Sequence, residues 1–241
     1  SFPTRRSSDL INLRGDFTMV DLKYIGHSAF EIQTNGTSIL VDPYVSINPN
    51  YDYKKIEKLT DIFLTHAHAD HLGEAIEIAK KKKATITAMV ELAKYCGEQK
   101  CKTREVNFGG WLNYEWGRAI FLPAFHSSSL PDGRYAGHAA SIIFDIEGVR
   151  IYHAGDTCLN SEMKIIKKLY RPNIALLPIG GTYTMDVEHA AVAAQWIGAQ
   201  TVIPMHYGTF PAIQADVQRF LQLIQVQNTN CCVLNPNEIK Q

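Results

Sequence analysis

From Thr65 to His71 the chain reads THAHADH, placing three histidines and an aspartate within six residues. The run follows directly on a short apolar segment, DIFLT (61–65), and precedes a helical pattern. That places it in a loop at the C-terminal end of a buried strand. His66 and His68 are two apart, so an extended turn aims both imidazoles at one point. Asp70 and His71 lie past that turn and can face a second point. Imidazoles and a carboxylate at this density are the donors of a metal site. The plainer alternative, surface histidines capping the next helix, would crowd three mutually repelling imidazoles together with no cation between them.

Other donors sit singly at the ends of apolar runs. His126 follows AIFLPAF, Asp156 follows RIYHA within HAGDT, and His206 follows VIPM. A residue directly after a strand is where a sheet edge presents side chains to a cleft. Each alone reads equally well as structural, but as a set beside HAHADH they fit together. His153 reads as strand core, and His189 as a structural residue of a helix opened by Thr184 or Asp186. Asp132-Gly133 reads as a turn.

The elements that must position these residues follow from hydrophobic periodicity. Strands are expected at Val20–Ile25, Ala29–Gln33 and Ser38–Asp42, with Asn35-Gly36 as a hairpin turn. The strand Asp61–Thr65 leads through the histidine run to a helix over Leu72–Lys83. A strand at Thr85–Val90 and a helix at Glu91–Gln99 come next. Short strands then follow in series at Ala119–Ala124, Ala140–Ile146 and Val149–Ala154. Helix 161–169, strand Ile174–Ile179, helix 187–197, strand Thr201–Met205, helix 211–224 and strand Cys231–Leu234 complete the pattern. Hairpins in front, mixed elements behind and helices on both sides predict an α/β sandwich of two sheets.

Composition narrows the function class. The 241 residues carry no net charge, with 46% hydrophobic and 20% charged. This is ordinary for a soluble globular chain and argues against a dedicated nucleic-acid binder, which carries a basic excess. No window approaches the run of about 18 apolar residues that crosses a bilayer. The five cysteines form no regular framework, so reduced thiols in a cytoplasmic protein are expected. The first eighteen residues carry Arg5, Arg6 and Arg14 without an apolar stretch, so they do not read as a secretory signal. The stretch SFPTRRSSDL resembles translated adapter sequence. Residues 1–18 are therefore expected to be a non-native or disordered leader, with Met19 the true start and 19–241 a single domain.

HAHADH, the later His126, the Gly155-Asp156-Thr157 turn and the late His206 resemble, in order and spacing, the metallo-β-lactamase superfamily. GHSAF (26–30), VDPY (41–44), HSSS (126–129), HAGDT (153–157), TMD (184–186) and PMHYGTFP (204–211) resemble a narrower group, the metal-dependent hydrolases related to L-ascorbate-6-phosphate lactonase. The resemblance covers about residues 20–235. It implies a four-layer αββα sandwich of two mixed β-sheets flanked by helices. It also implies His66, His68 and His126 on one metal, Asp70, His71 and His206 on the other, and Asp156 bridging both. Asp42 would orient a ligand histidine.

Two divalent ions about 3.5–4 Å apart share a water and lower its pKa, and the hydroxide attacks an electron-poor carbonyl carbon or phosphorus. Asp70 and Asp156 are the expected catalytic carboxylates. Mixed imidazole and carboxylate ligation suits Zn²⁺ first and Mn²⁺ second, with Fe²⁺ and Ni²⁺ also compatible. The di-iron oxygen reductases of the superfamily place a glutamate where His68 stands, so the resemblance implies hydrolysis. His27, Ser127, His138, Tyr183 and Tyr207 are candidate substrate contacts. His27 reads almost equally as a core histidine, and Tyr207 as a packed aromatic. The expected activity is hydrolysis of a small-molecule ester, lactone or phosphoester. Phosphodiesterase action on nucleic acid or phospholipid is the alternative, and a non-catalytic metal-binding module a third reading. Homo-oligomers are common among such relatives.

Overall fold

The computed structural model describes residues 11–14, 19–227 and 229–235. They divide into two compact units. The first takes the chain up to Asn107, the loop Ser127–Ala139 and the chain from Leu234; the second takes Phe108–His126 and Ala140–Val233.

The first unit is a seven-stranded mixed sheet whose spatial order is its chain order. Strands β1 (Ile11–Arg14), β2 (Met19–Gly26), β3 (Ala29–Thr34) and β4 (Thr37–Val41) form an antiparallel meander. Strands β5 (Leu59–Phe63), β6 (Thr85–Met89) and β7 (Lys102–Val106) then run parallel to β4. The leader expected over 1–18 falls mostly outside the described residues; within it, β1 pairs with β2. Helices α1 (Ala69–Leu72), α2 (Ala75–Lys82) and α3 (Val90–Glu98) occupy the crossovers between the parallel strands. Ile62, Leu64 and Ile86 of the sheet pack with Leu72, Ile78 and Leu92 of these helices in one apolar core.

The second unit repeats this plan. Strands β8 (Leu112–Tyr114), β9 (Gly117–Pro123), β10 (Ala140–Ile146) and β11 (Val149–His153) are antiparallel. Strands β12 (Ile174–Pro178), β13 (Thr201–Met205) and β14 (Asn230–Cys231) continue in parallel. Helices α4 (Met163–Leu169), α5 (Val187–Ile197) and α6 (Val217–Gln225) complete it. Every residue of β4, β10 and β12 is buried, as expected of strands covered on both faces. The expectation of two mixed β-sheets flanked by helices is met. A repeat invisible residue by residue is plain in the topology.

Two expected helices are interrupted. The run 72–83 is broken at Gly73, which caps α1 at φ 45, ψ −129 before α2 begins. The segment 211–224 starts as a 3-10 turn (Pro211–Ile213), and α6 begins only after Asp216, whose carboxylate accepts from Arg219 N. Strands β7 and β8 were not expected: β7 reads KTREV, a largely charged strand at the sheet's edge.

All five cysteines are free thiols. Burial pushes the thiols of Cys96 and Cys231 up to about 12, whereas Cys158 is exposed. Native protein at pH 8 is therefore expected to label first at Cys158, with the buried Cys96 labelled only on unfolding. Peptide mapping after a timed alkylation pulse checks this.

Candidate functional site

The proposed donors lie in segments that follow the C-terminal ends of strands in both units, His66 to His71 after β5, His126 after β9, Asp156 after β11 and His206 after β13. In the first unit β4 and β5 run side by side, Val41 opposite Phe63, so the residues that follow them emerge together. Asp42 turns into left-handed backbone at φ 45, and its amide donates to Phe63 O at 3.0 Å. Its fully buried carboxylate then collects three donors. Oδ1 accepts from Thr65 N at 2.8 Å, and Oδ2 accepts from Thr65 Oγ1 at 2.6 Å. Oδ2 also lies 2.7 Å from His71 Nδ1. A proton on His71 Nδ1 directed at this carboxylate sets the tautomer whose Nε2 carries a lone pair.

The same turn gathers the other imidazoles. Thr65 Oγ1 is 3.1 Å from His66 Nδ1, and His66 Nε2 is 2.9 Å from His68 Nδ1. The rings of His66 and His71 lie 4.1 Å apart, centroid to centroid. Asp70 Oδ2 is 3.0 Å from His27 Nε2. Ligand atoms of His27, Asp70 and His71 all fall within 4.8 Å of one another. Ser128 Oγ accepts from Ala67 N at 3.3 Å, which ties the loop 127–139 to the histidine turn. Ser127 Oγ stands 3.5 Å from His68 Nε2, at the edge of hydrogen-bond range.

Replacing Asp42 by asparagine tests the role of this buried carboxylate. The amide has one acceptor oxygen for three donors and sets N–H groups against one of them. Asp42→Asn is expected to destabilise the metal-free protein by about 2–3 kcal/mol and to weaken cation binding roughly 10–100-fold. Thermal melts in chelator and competition titration against a metal indicator check the two parts separately.

In the second unit, Asp156 Oδ2 lies between two imidazoles, 3.0 Å from His206 Nε2 and 3.5 Å from His126 Nε2. Backbone bonds explain the convergence. Phe125 N donates to Thr157 Oγ1 at 3.0 Å and Cys158 N to Phe125 O at 3.3 Å, locking the residue before His126 to the residues after Asp156. His153, buried at the end of β11, accepts from Gly155 N at 3.1 Å and shapes the turn ahead of Asp156. His206, like Asp42, has left-handed backbone, at φ 54. Gly180 packs against its carbonyl so closely that a Cβ there would overlap His206 O.

The remaining candidates are placed less centrally. His138 is exposed, with its ring 6.3 Å from Tyr135. Tyr183 is 59% exposed, on a loop held where Thr182 Oγ1 donates to Ala212 O at 2.7 Å. The phenol of Tyr207 is raised by burial and then by the neighbouring Cys231. His189 is exposed on α5, its amide donating to the Asp186 cap. Gly73 carried no signal in the sequence, and Thr65, Thr157 and Gly180 lie in segments singled out there for other residues. Their roles come from neighbours distant in sequence.

The family defined as the β-lactamase superfamily domain matches residues 21–206. A protein of Bacillus cereus named a UPF0173 metal-dependent hydrolase is 43% identical over 210 residues, covering 85% of this chain and 92% of that one. The structure of Igni18, a metallo hydrolase of Ignicoccus hospitalis, superposes with a TM-score of 0.83 at 36% identity, covering 92% of this chain and 97% of that one. A putative metal-dependent hydrolase of Parabacteroides distasonis superposes at 0.78 with 25% identity, covering 95% and 99%. The chain belongs to the metallo-β-lactamase superfamily. Within it, the chain is one of the metal-dependent hydrolases. Among the described residues no helix is long and apolar enough to cross a membrane.

Proposed function

We propose that this protein hydrolyses a small-molecule ester, lactone or phosphoester at a dinuclear metal centre. His66, His68 and His126 would hold one cation, Asp70, His71 and His206 the other, and Asp156 both. The observation that carries the reading is the makeup of the two clusters. Each unit gathers imidazole nitrogens and a carboxylate oxygen within a few ångströms of one another, from segments that follow the ends of its strands. Nitrogen and carboxylate donors without thiolate suit Zn²⁺ first and Mn²⁺ second. Bound divalent cations supply Lewis acidity, acidifying a water and polarising the substrate oxygen.

The chain's own residues do the rest. Asp42 and Thr65 set the His71 and His66 rings, and the Asp156 carboxylate offsets cationic charge and holds His126 and His206 in line. Asp70, on the first turn of α1, would be the carboxylate that orients a nucleophilic water. A chain without net charge favours a small substrate over nucleic acid or an anionic lipid surface. The free thiols support a cytoplasmic location. The resemblance of the chain's motifs to the group related to L-ascorbate-6-phosphate lactonase makes a lactone or phosphorylated lactone the first substrate class, and assembly into homo-oligomers is expected.

Metal-loaded protein offered a lactone, a bis-aryl phosphodiester and an aryl phosphonate is expected to turn over the lactone fastest, with chelation abolishing it. Turnover of the diester alone would reverse the ordering of substrates. No turnover on a broad ester panel, with two cations bound, would favour a binding module instead.

A further inference from the structure

We infer that His27 positions the Asp70 carboxylate, and that the first hairpin is shaped to deliver it there. The inference rests on the reading of Asp70 as a cation ligand. Strand β2 loses register against β3 between Tyr24 and Gly26, a bulge of the kind that re-aims side chains. Gly26 follows at φ 148 and His27 at φ 55, left-handed backbone that a side-chain-bearing residue adopts at a cost of about 1–2 kcal/mol. The turn is held on both sides. Asn48 Nδ2 donates to Ile25 O at 2.9 Å, and Tyr24 Oη donates to His27 O at 3.0 Å.

This backbone delivers an imidazole that is 1% exposed, with Nε2 3.0 Å from Asp70 Oδ2. A ring N–H held against one carboxylate oxygen restricts rotation of the group and leaves the other oxygen for a cation. The inference gives His27 a positioning role through Asp70 in place of the substrate contact expected of it. A histidine that only filled the core would need neither strained backbone nor a carboxylate partner. His71 is oriented by Asp42, and Asp70 by His27, so two neighbouring donors of one turn are each set from a different strand end.

The test is titration of chelator-stripped protein with Co²⁺, followed by calorimetry and by the visible absorption of the bound ion. His27→Asn tolerates left-handed backbone, but its amide stops short of Asp70; the longer amide of His27→Gln reaches about as far as Nε2. His27→Asn is expected to bind one of two equivalents roughly 10–100-fold more weakly, with a thermal melt of the metal-free protein showing that the fold persists. His27→Gln is expected to restore near-wild-type affinity with the wild-type spectrum. Wild-type affinity for both equivalents in His27→Asn overturns the inference. So does a His27→Gln variant that binds weakly with an altered spectrum, which would make His27 itself a ligand. Should His27→Asn fail to fold, the affinity and spectrum of His27→Gln decide alone. Failure of the wild-type protein to bind Co²⁺ would instead sink the metal-centre reading.

Discussion

Asp156→Ala is expected to lower kcat/KM by on the order of 10³-fold, corresponding to several kcal/mol of lost transition-state stabilisation. The cation content should fall below two per chain. In the second unit the Asp156 Oδ2 atom is within 3.5 Å of both His126 Nε2 and His206 Nε2, so its loss releases both rings at once. The surrounding turn should survive, because the bonds of Phe125, Thr157 and Cys158 involve backbone and a hydroxyl that the substitution leaves alone. Asp156→Asn preserves shape but removes the charge. It is expected to fall nearly as far, which would assign the effect to electrostatics rather than to lost packing. Kinetics on the best substrate of the panel, paired with elemental analysis and a thermal melt of each variant, separate loss of metal from loss of fold.

Gly73→Ala carries the second large effect, and it acts through the fold. Gly73 has φ 45, ψ −129, a conformation reserved almost wholly for glycine. A Cβ at this position would meet Pro43 O at 2.5 Å, Tyr44 Cα at 2.6 Å and Tyr44 N at 2.7 Å, all backbone atoms without freedom to yield. Strain and overlap together are expected to cost about 3 kcal/mol or more. For a chain of this size that lowers the melting temperature by roughly 6–12 °C. The consequence reaches the site, because Gly73 joins α1, which carries Asp70 and His71, to the segment just after Asp42. Glu74 continues that junction, its amide donating to Pro43 O at 3.0 Å and its Oε2 accepting from Val45 N at 2.7 Å. Cation affinity in Gly73→Ala should therefore fall along with stability, although no proposed ligand is altered. Full affinity in the destabilised variant would show that the Asp42–His71 pair is set independently of this contact.

The parts of this arrangement legible from residues alone share a physical reason. HAHADH is contiguous, so its donor density needs no knowledge of the fold. His126, Asp156 and His206 each follow an apolar run bounded by turn residues, a pattern that local sequence reports well. Strand β13 and helix α5 fall at their expected bounds because apolar period and end signals coincide there, with Asp186 capping and Gly198 closing α5. What escaped depends on partners far along the chain. The break at Gly73 exists because α1 must pack on Pro43 and Tyr44. Thr65 matters because β4 lies beside β5. Strand β7 is charged and at the sheet edge, and β8 has only three residues, so neither shows the apolar period by which strands are read. The expectation for His27, a substrate contact or a core histidine, rested on the resemblance of its motif alone. The hairpin bulge and its bond to Asp70 are visible only in three dimensions.

The central claim is that donors from both units hold one pair of cations. Crystals grown with Zn²⁺ or Mn²⁺, and diffraction recorded on either side of the metal absorption edge, test it most directly. The account predicts two anomalous peaks per chain, one against His66, His68 and His126, the other against Asp70, His71 and His206, with the Asp156 carboxylate touching both. Peaks confined to one unit, or a fully loaded protein in which His206 or Asp156 makes no bond to metal, would contradict it.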